Sequence, residues 1–534
     1  MTTHPRQAAA AASNARWGRK VEPAVVCGHP NLVYSQRPRS LPELLVDARR
    51  WNGRSFIVEG ERRLRFEQFE AAVARIAARL ALHGVAPGDR VVLLAYNCVE
   101  WLASFWALQV LGAVPVLANA WWSAEEARAA LQLVHPSAVL TDREGDLTID
   151  QAFRPLLLRT LRPLVDDQTP APAWSLPSVE EDDLALIMFT SGTTGQAKGV
   201  MMSHRGVIAN IQNLLVLTGR MPSELPVGQP GTVSLLTVPL FHLAGVQISF
   251  STLLSGGTLV FLAGRFDAEA VLRLIERERV RVWGSIPTMV SRVLEHAALT
   301  DYDTSSLRSI PMGGAAISAE LRDKLRSAFP GVKKSVGSLY GLTEAGGVLA
   351  AGSAQDVDGR PGCVGKALPI VEIRIADPDA AGNGEILART PTATLGYWAD
   401  PAPIADADGW IRTGDVGRCE GGYLYLTGRS KDIIIRGGEN IACAHVEQCL
   451  QAHPAVAEVA VVPLPHADLG EEVAAVVVLR ESASAGVSEL RTHAAARLGK
   501  FQVPSRWWLR RDPLPVNATG KIDKRLLPRQ WEGN

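Results

Sequence analysis

A chain of 534 residues is too long for one hydrophobic core and divides into two to four structural units. Apolar residues make up 47% and charged residues 21%, and 55 Lys plus Arg balance 55 Asp plus Glu, which excludes a global field favouring nucleic acid or an anionic membrane. Six cysteines without C-x-x-C spacing argue against a disulfide framework or zinc site and fit a reducing cytoplasm.

The first 20 residues are Ala-rich, with Arg6, Arg16, Arg19, Lys20 and no acid, and read as a tail rather than a targeting peptide. Phe66 to Leu82 carries apolar residues at helical spacing, and Gly84 to Asp89 is a turn. Val91 to Ala95 reads as a strand, Trp101 to Leu111 as a buried helix and Val114 to Ala118 as a second strand. This β-α-β rhythm predicts an α/β fold, with parallel sheets covered by helices. Asp166 to Asp183 is a connector, and Leu184 to Phe189 a buried strand. Residues 225–264 lack Asp, Glu, Lys and Arg, yet Pro230, Pro239, Gly245, Gly256 and Gly257 break them into buried pieces too short to span a membrane. From Gly382 the strands shorten, Asp406 to Gly409 marks a turn, and a compact α+β unit follows Gly428.

The most informative stretch is Thr190-Ser191-Gly192-Thr193-Thr194-Gly195-Gln196-Ala197-Lys198-Gly199. Its glycines leave backbone N–H groups unshielded, its hydroxyls add donors and Lys198 adds a point charge, which suits the β- and γ-phosphates of a nucleotide. The spacing does not fit G-x-x-x-x-G-K-[ST], so the chemistry is not that of a P-loop enzyme. Tyr340-Gly341-Leu342-Thr343-Glu344 offers a flat face for a base and oxygen ligands for phosphate and Mg²⁺, although a buried tyrosine beside a turn explains it equally well. Gly313-Gly314-Ala315-Ala316 allows close approach of a ligand or simply makes a tight turn. Asp415, in Thr413-Gly414-Asp415, and Arg429 suit ribose hydroxyls or a solvated salt bridge. Lys521, in Thr519-Gly520-Lys521, has meaning only if its loop folds over an active site.

In this order the clusters resemble the adenylate-forming superfamily, which includes acyl-CoA synthetases. The resemblance covers about residues 40–530 and extends to Pro239-Leu240-Phe241-His242, Gly384-Glu385-Ile386, Gly396-Tyr397-Trp398 and Gly437-Gly438-Glu439-Asn440-Ile441. It implies a large N-terminal domain of helix-covered, mostly parallel sheets with a small β-barrel-like subdomain, plus a small mobile α+β C-terminal domain. The boundaries expected are a flexible extension over 1–35, an AMP-binding domain over 36–430 and the C-terminal domain over 431–534. The reaction implied joins a carboxylate to CoA: the acid attacks the α-phosphate of Mg-ATP, and the thiol then displaces AMP from the acyl-adenylate. Ser191 to Lys198, with Thr190, would hold phosphate. Gly314, Ala315, Tyr340, Gly341 and Leu342 would frame adenine, Thr343 and Glu344 would serve phosphate and Mg²⁺, and Asp415 and Arg429 would bind ribose. Lys521 would bridge the carboxylate and the α-phosphate. Lys431 matches the hinge, while Gly437 and Gly438 fall near the CoA face. Nucleic acid is not an expected partner, and a homodimer stays open.

Three departures stand out: Ala197 replaces a frequent proline, Leu339 a frequent glycine, and Ala442-Cys443-Ala444-His445 the usual Tyr-Pro-x-Glu, although Glu447 stays in place. The last makes thioester formation less secure than adenylation, and a carrier protein is the alternative acceptor. His242 stands where amino-acid-activating relatives carry aspartate, so a zwitterionic substrate would bury an unpaired cation. By the resemblance, His242, Val246, Trp283, Gly313 and Leu339 wall a largely uncharged acyl pocket, narrowed by Leu339 and Trp283. A medium-length or ring-bearing acid is therefore expected.

Overall fold

The computed structural model describes residues 16–143, 153–191, 197–313, 317, 319–332, 337–429, 433–436, 439–466, 469–481, 483–498, 502–516 and 522–531. The amphipathic pattern from residue 66 forms the helix Phe66–Leu82, whose Phe66, Phe69, Val73, Ile76 and Leu80 face the core. Gln68 Oε1 accepts the Arg65 N–H at its start, and Gly84 at φ 89° turns the chain away after its end. The helix Val99–Leu111 is predominantly apolar and buried almost throughout, its Glu100, Ser104 and Gln109 included, and ends on Gly112 at φ 69°.

These helices cover a seven-stranded sheet in the order Gly396–Tyr397, Ala197–Ser203, Leu184–Ser191, Val114–Leu117, Arg90–Leu94, Ala138–Thr141, Pro155–Leu157. Pairing is parallel from Leu184–Ser191 onward and antiparallel at the two strands before it. A second, five-stranded sheet is parallel except at its edge pair Ser55–Glu59 and Arg62–Arg65. The uncharged stretch supplies that sheet with Val233–Leu236 and Thr258–Phe261, joined through the helix Leu243–Leu254. Among the described residues no helix is long and apolar enough to cross a membrane.

Where a barrel-like unit is expected, an eight-stranded sheet runs from Met312–Gly313 through Ser338–Leu342 and Gly347–Gly352 to Tyr423–Arg429, Ile411–Glu420 and Glu372–Ala376. A small C-terminal α+β domain follows, with strands Ile433–Arg436, Glu439–Ala442, Val456–His466, Gly470–Leu479 and Arg506–Arg510 and a separate apolar core.

The N-terminal extension differs from expectation. From residue 16 the chain is docked: Trp17 is 2% exposed and donates its indole N–H to Asp47 Oδ2 at 2.7 Å. Strands Val21–Val26 and His29–Tyr34 form a hairpin, and Tyr34 donates its hydroxyl to Asn213 Oδ1 at 2.8 Å. Averaged composition favours a tail, but two buried aromatics with satisfied polar tips outweigh it.

Two buried groups near this dock titrate in opposite senses. Burial pushes His204 down from 6.5 to about 4, with its Nδ1 accepting the Leu41 N–H. Burial pushes Asp47 up from 3.8 to about 6, against the Trp17 hydrogen bond and the charge of Arg16. Stability from neutral His204 is complete above pH 6.5 and is lost as pH falls toward 4. Stability from protonated Asp47 is complete below 3.8 and is lost as pH rises through 6. Each effect is on the order of 3 kcal/mol, so they nearly cancel. Thermal melts of Asp47→Asn are therefore expected to lose midpoint more steeply than the unaltered chain between pH 6.5 and 4, and those of His204→Asn less steeply. Equal slopes for all three would refute both assignments.

Candidate active site

Ser191 pairs with Ala197 and Thr190 with Lys198, so the glycine-rich turn connects a β-hairpin rather than a strand and a helix. The hairpin is rooted in the core, because Ile187 and Met188 pair in parallel with Val116 and Leu117. Beyond Lys198, Val200 pairs with Tyr397, and the Trp398 N–H donates to Gly199 O at 2.7 Å. A Cβ on Gly199 would lie 3.1 Å from Ile187 and 3.2 Å from Trp398, which explains the small residue there.

This pairing sets Tyr397 between two distant clusters. Its ring carries the Lys198 ammonium 4.5 Å from the centroid, and its hydroxyl donates to Glu344 Oε1 at 3.1 Å. Burial and the nearby Glu344 carboxylate push the phenol above its ordinary range, so it stays protonated and donates. Lys198 also lies 3.9 Å from Asp400 and is 40% exposed, leaving the ammonium open to an incoming anion. Glu344 sits on the turn after Ser338–Leu342, beside Thr343, whose carbonyl accepts the Gly346 N–H at 2.9 Å. Gly346 is required: its φ is 72°, and a Cβ would lie 1.6 Å from Thr392 O.

Tyr340 and Asp415, far apart in sequence, meet in the eight-stranded sheet, where the buried tyrosine donates its hydroxyl to Asp415 Oδ2 at 2.9 Å. Asp415 pairs in register with Arg429 across adjacent strands. Gly341 and Leu342 complete the strand that contains Tyr340. The residues expected to wall an acyl pocket lie on other elements. His242 precedes the helix Leu243–Leu254, its ring 4.6 Å from Phe241 and 6.4 Å from Trp121, and Val246 is buried on the first turns of that helix. Gly313 pairs in parallel with Leu339, so these two are neighbours. Trp283 is fully enclosed in the main core and donates its indole N–H to Thr237 Oγ1 at 3.0 Å.

Gly192, Thr193, Thr194, Gly195, Gly314, Ala315, Lys431, Gly437, Gly438 and Lys521, with the side chains of Ser191 and Arg429, lie outside the described residues. Around Lys521, Val516 and Ile522 form an antiparallel bridge, and Lys524 pairs with Glu447 at 2.7 Å, while Glu447 also accepts the Val461 N–H. The sequence reading assigned no role to Tyr397, Asp400 or Trp121; Tyr397 lies in a quoted motif, and Trp121 in a Trp-Trp pair after a strand.

Among the described residues no group of three or more His, Cys, Asp and Glu could hold a metal by itself. Glu344, one carboxylate with an oxygen not engaged by Tyr397, fits Mg²⁺ held mainly by substrate phosphates. A part-exposed cation, a carboxylate and a tyrosine–aspartate pair on a two-domain α/β frame define a nucleotide-using enzyme.

Comparison with known proteins carries this further. The AMP-binding enzyme family matches over residues 45–398, and the AMP-binding enzyme C-terminal domain over 445–521. A feruloyl-CoA synthase from Amycolatopsis sp is 34% identical, covering 88% of this chain and 94% of its own. A long-chain-fatty-acid–CoA ligase from Bacillus subtilis is 28% identical, covering 95% and 98%. ATP-bound MatB from Rhodopseudomonas palustris superposes with a TM-score of 0.81 at 28% identity, covering 92% of this chain and 99% of its own. The amide bond synthetase McbA from Marinactinospora thermotolerans does so at 0.78 and 29%, covering 91% and 99%. The chain belongs to the AMP-binding enzyme family and, within the adenylate-forming superfamily, to the acyl-CoA synthetase branch of acid–thiol ligases.

Proposed function

We propose that the protein activates an apolar, medium-length or ring-bearing carboxylic acid with ATP and transfers the acyl group to CoA, in the cytoplasm. The observation that carries this reading is the placement of Lys198 and Glu344 on one tyrosine, a cation and a carboxylate set to meet phosphate oxygens and their counter-ion. Lys198 leaves Asp400 for the β- and γ-phosphates. Asp415, oriented by the Tyr340 hydroxyl, accepts from ribose hydroxyls, and the adenine lies along Tyr340 and Gly341. Mg²⁺, when bound, neutralises charge on the phosphates. The carboxylate oxygen then bonds to the α-phosphorus as pyrophosphate leaves, and the CoA sulfur bonds to the acyl carbon as AMP leaves. The domain assignment proposed with it is 36–430 for adenylation and 431–534 for the mobile unit.

His242, Gly313 and Leu339 then face the acyl group, with Trp121 near the His242 ring. The full enclosure of Trp283 makes it a support behind that wall. In competition among acetate, octanoate, palmitate, a benzoate and an alicyclic acid, octanoate or a ring acid is expected to have the highest kcat/KM. Each buried methylene should add about fourfold, from about 0.8 kcal/mol, until the pocket fills. A maximum at palmitate would sink the steric role of Leu339. The likeness to an amide bond synthetase and the Ala442 to His445 departure favour a second reading, in which the acyl group passes to another acceptor. Acid-dependent pyrophosphate release without CoA consumption would select it.

A further inference from the structure

We propose that Tyr397 is a positioning residue that couples the phosphate loop to the Mg²⁺-side carboxylate. This rests on the reading that Lys198 and Glu344 serve the nucleotide. Its backbone is held tightly. Tyr397 pairs with Val200, the Trp398 indole donates to Leu133 O at 3.1 Å, and the Arg90 guanidinium stacks on the Trp398 ring at 4.8 Å. The Leu395 N–H donates to Met201 O at 2.9 Å, and the Thr394 N–H to Glu344 O at 3.1 Å. The segment thus grips both the return strand of the hairpin and the turn that bears Glu344.

From this platform the phenol does two separate things. Its hydroxyl occupies Glu344 Oε1, which fixes the carboxylate plane and would leave Glu344 to supply its other oxygen to Mg²⁺. Its ring face holds the Lys198 ammonium by cation–π attraction, in a waiting position shared with Asp400. The ring holds the lysine without a salt bridge tight enough to compete with phosphate, since Asp400 stands at 3.9 Å and is itself 40% exposed.

Because the two contacts use different atoms, two variants separate them. Tyr397→Phe keeps the ring and loses the hydroxyl, whereas Tyr397→Leu loses both. Calorimetric titration with ATP, at several Mg²⁺ concentrations and in EDTA, is the readout. Tyr397→Phe is expected to raise the Mg²⁺ concentration for half-maximal tightening of ATP binding about tenfold, with binding in EDTA unchanged. Tyr397→Leu is expected to weaken binding in EDTA as well, by about three- to fivefold. A Tyr397→Phe protein with unaltered Mg²⁺ dependence overturns the proposal, whatever its melting temperature. Lys198→Ala and Glu344→Gln separate the two levels. If they bind ATP and Mg²⁺ as the unaltered protein does, the functional reading itself fails. If they lose binding while both Tyr397 variants keep it, only the coupling fails.

Discussion

Lys521→Ala is expected to lower acyl-adenylate formation by about 100- to 1,000-fold, the cost of removing one charge-stabilising donor from a water-excluded site. Adenylation forces a carboxylate against a phosphate, and repulsion between the anions falls only if a cation cancels the charge growing on the phosphoryl oxygens. Among the described residues flanking Lys521, Val516 and Ile522 form an antiparallel bridge and Lys524 pairs with Glu447. Once the adenylate exists that repulsion is past, so thioester formation from supplied acyl-adenylate should be largely spared. ATP–pyrophosphate exchange and a supplied-adenylate assay measure the two steps separately. Equal losses in both would remove Lys521 from the proposed role.

Lys431→Pro is expected to separate the half-reactions in the opposite direction. Proline fixes φ near about −65°, so if Lys431 is the hinge that the resemblance implies, its backbone becomes locked in one state. Adenylation should persist. Thioester formation should drop by about 100-fold, because a thiol presented from a misplaced domain no longer meets the acyl carbon. Lys431→Ala, with its backbone free, should recover most of the second step. A proline variant competent in both steps would show that the domains do not alternate about this residue.

Much of the frame was legible because its signals are local. Helical spacing from Phe66 to Leu82 and the apolar run at Leu184 locate a helix and a strand that form there. The prolines and glycines of 225–264 divide that stretch into a strand, a helix and a strand. Each follows from periodicity or a backbone preference within one segment. Trp17 was not legible in this way. Its burial depends on Asp47, thirty positions on, and on a hairpin packing against the helix that begins at His204.

By itself, then, the order of residues determined the chemistry on offer: a hydroxyl- and glycine-rich turn ending in Lys198, a base-sized aromatic before Thr343 and Glu344, and Asp415 with Arg429 ahead of a small C-terminal unit. Tertiary structure alone decided which of these groups touch. Tyr340 reaches Asp415 across 75 positions although three strands lie between theirs in the order of the eight-stranded sheet, and Tyr397 reaches Glu344 across 53 because the Gly396–Tyr397 strand adds to the edge of the seven-stranded sheet. Trp283, expected to narrow the substrate pocket, is fully buried with its indole N–H on Thr237 Oγ1, a contact that only the packed structure supplies. Whether an aromatic on a strand faces a ligand or a neighbouring layer is set by the packing of sheets and helices from distant parts of the chain, which no local pattern encodes.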